Sequence, residues 1–179
     1  MRKLKSLGLI LVLILSLCSC SKDSNNNVVF YSKDQLKKDL IIQVDNTDGS
    51  IVSVNSNTTI SLMSSAFFEE NISFLKSVEV PKLSYKIKNY VPSTNFSLSN
   101  IELAIDDIVI TDYLDVNFLN SNNNGVEFLI EDETLLLAIA EKLTANKQVV
   151  ISYKSDAVTS QQNGFDFEFS ITAKGTFVD

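Results

Sequence analysis

The chain has 179 residues, 15 basic and 22 acidic, with a formal net charge of −7. It has no histidine or tryptophan, its only arginine is Arg2, and its cysteines are Cys18 and Cys20. Beyond residue 20 this excludes a disulfide framework, imidazole or thiolate metal ligands, thiol nucleophiles and a guanidinium clamp for phosphate. The negative field, with no basic stripe to offset it, argues against nucleic acid as a partner.

The chain opens on Arg2, Lys3 and Lys5, then runs through eleven uncharged residues, LGLILVLILSL, from Leu7 to Leu17. As a helix at about 1.5 Å per residue that run is roughly 16 Å long, about half the hydrocarbon thickness of a bilayer. It therefore suits the apolar core of a signal peptide better than a membrane span.

The run ends in Leu17-Cys18-Ser19-Cys20. This resembles the lipobox of bacterial lipoproteins, with Leu at −3, a small residue at −1 and the modified cysteine at +1. Cys18 fits less well, since Leu17 would then occupy −1. The resemblance implies cleavage after residue 19, a diacylglyceryl thioether on Cys20 and an acylated new amino group (palmitate being a usual acyl chain). It covers about twenty residues and speaks to processing, not activity. Two or three acyl chains anchor a protein stably, where one binds marginally.

Residues 1–19 are thus expected to be removed and residues 20–28 to form a polar tether, leaving residues 29–179 as a single β-rich domain. Processing takes three basic residues away, so 12 face 22 acidic ones and the net charge becomes −10. Position +2 is Ser21, not the Asp that resembles an inner-membrane retention signal, so an outer-membrane location is expected, on either its periplasmic or its outer face.

Within the domain, strand patterns fall at residues 40–44, 51–54, 58–62, 101–105, 108–111, 126–130 and 149–154. Two are clearer. In KLSYKIKN, residues 82–89, Leu83, Tyr85 and Ile87 alternate with Lys82, Ser84, Lys86 and Lys88. Near the C-terminus Phe165, Phe167, Phe169, Ile171, Ala173 and Phe177 share one parity against Asp166, Glu168, Ser170, Thr172 and Lys174. Gly175 reads as a kink or bulge there. Turn-forming stretches at 45–50, 117–125 and 161–164 separate strands.

Two helices are expected. Asp132 can cap one whose Leu136, Ile139, Ala140 and Leu143 share a face, with Glu131 and Glu133 at its start and Lys142 and Lys147 near its end. The other spans residues 66–76, with Phe68, Ile72 and Leu75 in helical spacing. Each helix leads to a Ser-Tyr-Lys triplet, at Ser84-Tyr85-Lys86 and Ser152-Tyr153-Lys154, and then to a further strand, hinting at a duplicated unit. The fold expected is mainly β, an antiparallel sandwich with two short helices, with a two-layer α+β sheet as the alternative.

Candidate sites are few. Asp45 and Asp48, in Asp45-Asn46-Thr47-Asp48-Gly49-Ser50, offer hard oxygens for Ca²⁺ but lack EF-hand spacing, and a strand turn accounts for them. Ser73 and Lys76 match S-x-x-K without the further elements that chemistry needs. Asp106, Asp107, Asp112, Asp115, Glu131, Asp132 and Glu133 could hold a carboxylate pair for glycoside hydrolysis, though turns and a helix start explain them. Tyr85, Tyr90, Tyr113 and Tyr153 could line a ligand patch, but Tyr85 and Tyr153 fall on core parities. No catalytic residue and no cofactor is expected. The leading expectation is a non-enzymatic binding or structural module, tethered to the outer membrane through Cys20 and facing an envelope or extracellular partner. A periplasmic carrier of apolar ligands is the alternative, and a carboxylate-based hydrolase comes third.

Overall fold

The computed structural model describes residues 21–22, 28–91, 95–113 and 125–179. The leader, Cys20, most of the tether, Asp115 and most of the 117–125 link lie outside them. Among the described residues nine strands are formed: β1 (Ser21–Lys22), β2 (Val28–Val44), β3 (Val52–Ser61), β4 (Leu75–Lys88), β5 (Phe96–Ile105), β6 (Ile108–Val109), β7 (Glu127–Ile130), β8 (Gln148–Thr159) and β9 (Asn163–Val178). The helices are α1 (Ala66–Asn71) and α2 (Glu133–Asn146). One sheet runs β1-β2-β9-β4-β7 and the other β3-β8-β5-β6, with every pairing antiparallel. This is a mainly β, antiparallel sandwich with two short helices.

Strict alternation builds the core. Phe165, Phe167, Phe169, Ile171, Ala173 and Phe177 of β9 are all buried, as are Leu83, Tyr85 and Ile87 of β4. The facing sheet contributes Val149, Ile151, Tyr153 and Ala157 of β8. Burying each large side chain stabilises the fold by roughly 1.5–3 kcal/mol. The lysines on the other parity of β4 meet acids of neighbouring strands: Lys82 pairs with Glu127 at 3.0 Å, and Lys88 reaches both Glu168 at 2.9 Å and Asp39 at 3.2 Å.

Several sequence expectations are corrected. The patterns at 51–54 and 58–62 belong to one strand, because β3 pairs continuously with β8 from Val52↔Ala157 to Ser61↔Gln148. The pattern at 40–44 is only the end of β2, which pairs with β9 from Val29↔Val178 onward. Residues 108–111 give the two-residue β6 followed by a 3-10 turn at Thr111–Tyr113.

The helix expected over 66–76 stops at Asn71, passes through a 3-10 turn at Ile72–Phe74 and becomes β4 at Leu75. Leu75 pairs with Phe177 of β9, and sheet hydrogen bonding ends the helix there. Gly175 is not a bulge in β9. Its pairing with Ser32 keeps register, and the irregularities opposite it lie in β4, between Leu75 and Ser77 and between Glu79 and Lys82. A Cβ at Gly175 would lie 2.6 Å from the Phe177 ring and 2.8 Å from Phe68, so the position is glycine because two rings fill its side-chain space.

α2 begins as expected, with the Asp132 carboxylate accepting from the Leu135 backbone N–H at 2.9 Å. Its buried face is Leu135, Ile139, Ala140 and Leu143, with Leu136 half-buried, a shift of one position toward Leu135. Lys147 ends it in a left-handed conformation, φ 63°, its N–H donating to the Leu143 carbonyl. α2 lies along the first half of β4, where Val78 N–H donates to Thr144 Oγ1 at 2.9 Å.

The two sheets are related by an internal exchange. Replacing β2, β3, β4 and β5 by β6, β7, β8 and β9, and the reverse, turns the order β2-β9-β4-β7 into β6-β5-β8-β3, the order of the other sheet. α1 and α2 hold corresponding places, before β4 and β8. Each half thus supplies two strands to each sheet.

Candidate functional site

Strand direction divides the sandwich into two ends. The starts of β2 and β4 and the finish of β9 share one end; the finishes of β2 and β4 and the start of β9 share the other. At the second end lies an open hollow of about 530 Å³, lined among others by Ile41, Gln43, Asn89, Val91, Gln162 and Asp166. Its polar groups are amides and one carboxylate. Asn89 adopts a left-handed conformation, φ 59°, and its amide donates to Asp166. Gln162 donates to Asp45 at 3.4 Å.

The hollow depends on Gly164, which pairs with Gln43 across β2 and β9. A Cβ there would sit 2.5 Å from the Ile42 carbonyl oxygen, so no larger residue lets the strands approach as they do. Ile41 is 55 % exposed and Val91 72 % exposed, and both border the hollow. Ile41 also borders a second open depression of about 530 Å³, shared with Lys37, Asp39, Ser56, Thr58 and Glu168. There the Ser56 hydroxyl donates to the Ile41 carbonyl at 2.7 Å, joining the edge of one sheet to the other.

Beside the second depression, Lys88, Glu168 and Asp39 form an ion-paired group. Hydrogen bonds donated to Glu168 and then to Asp39 hold the Lys88 ammonium above its ordinary pKa, and the Lys88 contact holds the Glu168 carboxyl below its own. Asp107 is likewise lowered by Lys142, and Glu127 by Ser84 and then Lys82. Downward movement is what ion pairing imposes on a carboxylate; a general acid at neutral pH needs the opposite.

The sequence candidates are dispersed. Asp45 and Asp48 flank a turn pinned by Thr47, which is buried and bonded to the Thr159 carbonyl through both its N–H, at 3.0 Å, and its hydroxyl, at 2.9 Å. Asn46 and Asp48 bond each other across that turn. Among the described residues no three or more His, Cys, Asp or Glu side chains are grouped to hold a metal ion. Ser73 lies in the 3-10 turn and Lys76 in β4, so they share no helical face. Asp106 accepts from the Val150 N–H at 2.8 Å, Asp107 pairs with Lys142 and Asp132 caps α2. Tyr85 and Tyr153 are core residues, and Tyr90 is buried beside Phe96 and Phe165. Asp115 and the Tyr113 side chain lie outside the described residues, as does Cys20.

Sequence reasoning missed Gln43, Asn89, Gln162 and Asp166 as a group, because three separated segments bring them together. One signal was present: in Leu40-Ile41-Ile42-Gln43-Val44, Ile41 falls on the solvent parity of the strand.

No family model and no curated protein matches the sequence. Among solved structures, the decameric BFDV capsid protein aligns over 82 % of this chain and 99 % of its own, at 8 % identity and a TM-score of 0.46. That likeness carries nothing about function.

Proposed function

We propose that the chain is a lipid-anchored, non-enzymatic binding or structural module of the cell envelope, held at the outer membrane through Cys20. The observation that carries the binding role is the hollow where Ile41 and Val91, both exposed, border convergent side-chain amides. Two exposed apolar residues bordering one hollow beside hydrogen-bonding groups suit recognition of a ligand. The lipid role rests on the lipobox. No helix among the described residues is long and apolar enough to cross a membrane.

The amide-rich lining favours a hydrogen-bonding ligand over a purely apolar one. The interior between the sheets is filled by Tyr85, Tyr153, Phe165, Phe167 and Phe169, which weighs against the carrier alternative. Ion-paired carboxylates with lowered pKa weigh against a hydrolase.

Two variants of the full protein test the reading. Cys20→Ala should lose palmitate labelling and membrane fractionation. An Ile41→Asp/Val91→Asp double variant should keep both, and its circular dichroism, while losing retention on isolated envelope polymers that hold the parent protein. Turnover of an ester, glycoside or peptide by the purified protein, abolished by changing an Asp, Glu or Ser, would overturn it. Protease shaving of intact cells then assigns the face: digestion without lysis means outside, protection until lysis means periplasmic.

A further inference from the structure

At the end opposite the hollow the surface is different in kind. Phe30 of β2, Phe67 of α1 and Phe177 of β9 pack together, with ring centroids 5.1 Å apart for Phe30 and Phe177 and 5.4 Å for Phe67 and Phe177. This cluster is only partly covered. Phe67 is 38 % exposed, and Tyr31, Met63, Phe74 and Val28, in segments that reach the same end of the sandwich, are 54 %, 42 %, 39 % and 37 % exposed. Phe74 immediately precedes Leu75, which pairs with Phe177, and Val28 exchanges backbone hydrogen bonds with Asp179 at 3.3 and 3.1 Å. The aromatic residues thus belong to one end of the sandwich, where β2 and β4 start and β9 finishes.

That is also the end where the chain arrives. β2 begins at Val28, eight residues after Cys20, so even fully extended the link spans at most about 28 Å. The backbone of Ser21, the residue that follows Cys20 in the sequence, pairs with Val29 at the start of β2. A lipid on Cys20 would therefore enter the bilayer beside this aromatic end. The Lys174 ammonium lies 5.9 Å from the Tyr31 ring, and Lys33 stands opposite Lys174 in the register of β2 and β9. Lys174 is also ion-paired with Glu79 at 3.0 Å, whereas exposed Lys33 on the strand of Tyr31 suits lipid headgroups, and exposed Glu69 and Glu70 limit how deep α1 can sink.

We infer that Tyr31, Met63, Phe67 and Phe74 form a footing that rests in the headgroup layer of the membrane holding the Cys20 lipid. This deepens the proposed function and rests on its lipid anchor. It fixes an orientation: β2 rises at about 3.3 Å per residue, so the hollow at Ile41 stands on the order of 40 Å along the strand from its start, facing away from the bilayer.

The test uses full-length processed protein, purified in detergent and returned to vesicles of phosphatidylethanolamine and phosphatidylglycerol. Phe74→Cys, Tyr31→Cys and Val91→Cys each carry one environment-sensitive fluorophore, with folding checked by circular dichroism and the lipid on Cys20 by mass spectrometry. Headgroup-borne quenchers should reduce emission at least three-fold more at positions 74 and 31 than at 91. Lipid on Cys20 with equal quenching at all three positions would overturn the footing and leave the anchor standing. Shielding at 74 and 31 that needs no vesicles and scales with protein concentration would assign the surface to a second copy and also overturn it. An unmodified Cys20 would overturn both readings.

Discussion

Tyr85 and Tyr153 reach the same ring from two directions, each with its centroid 6.0 Å from that of Phe167, Tyr85 from the neighbouring strand and Tyr153 from across the sandwich. Both are the centre of a Ser-Tyr-Lys triplet, and the strands beside them repeat the match. Lys86 stands opposite Glu168 and Lys154 opposite Glu102, in ion pairs of 4.0 and 3.0 Å. Flanking these acids, Asp166-Phe167-Glu168-Phe169-Ser170-Ile171 parallels Asn100-Ile101-Glu102-Leu103-Ala104-Ile105. With the exchange symmetry of the two sheets, the two triplets fall at corresponding positions of interleaved halves.

The tyrosines differ in their hydroxyls. Tyr153 Oη is buried without a hydrogen-bond partner, as is Ser155 Oγ two residues on along the same face of β8. Burial pushes the Tyr153 phenol up to about 12. A phenol whose pKa rises on folding keeps its proton longer in the folded chain, so the stability it contributes is complete below pH ~10 and fades as pH climbs toward 12. Tyr153→Phe should therefore be neutral or stabilising by up to about 1 kcal/mol at pH 7. Urea unfolding at pH 10 to 12 should show a shallower loss of stability in the variant than in the parent.

Two glycines test the close approaches. Gly175→Ala forces a methyl group against the Phe177 and Phe68 rings, and should destabilise by about 1–3 kcal/mol. Gly164→Ala meets the Ile42 backbone, which cannot swing aside as a ring can, and should cost more. Thermal melts order the two, and an order reversed would show that β2 moves more easily than the aromatic cluster.

What the sequence disclosed follows the burial pattern. β9 and the second half of β4 were legible because one parity is apolar throughout and the other charged. The first half of β2, with Tyr31-Ser32-Lys33-Asp34-Gln35 ahead of Leu36, was not: it puts few side chains into the core. α1 was overread because Phe68, Ile72 and Leu75 fit a helical face while the pairing of Leu75 with Phe177 is a long-range event. The hollow stayed hidden for the same reason, except for Ile41.

Thr47, not the neighbouring acids, should carry the 45–50 turn. Thr47→Val removes the hydroxyl that donates to the Thr159 carbonyl and accepts from the Thr159 N–H at 3.0 Å, leaving a buried donor unmet. The expected loss is about 1–3 kcal/mol in urea unfolding. Asp45→Asn with Asp48→Asn should change stability by under about 0.5 kcal/mol, and adding millimolar Ca²⁺ should leave the melting temperature of the parent unchanged. A calcium-dependent rise abolished by the double variant would make the turn a metal site.

The ion pairs on the outer face of the larger sheet should stabilise the fold at neutral pH and cease to do so in acid. Lys88 bridges Glu168 and Asp39, with side chains 33 %, 22 % and 46 % exposed, so solvent screening keeps Lys88→Met near 1 kcal/mol or less. Because Lys88 lowers the folded pKa of Glu168, the contribution is present above the ordinary carboxylate range and is lost as pH falls through and below about 4. Unfolding curves of parent and variant should thus differ at pH 7 and converge by about pH 2. High salt at pH 7 should shrink the same difference, and a gap persisting at pH 2 would show that the lysine acts through the packing of its stem along β4.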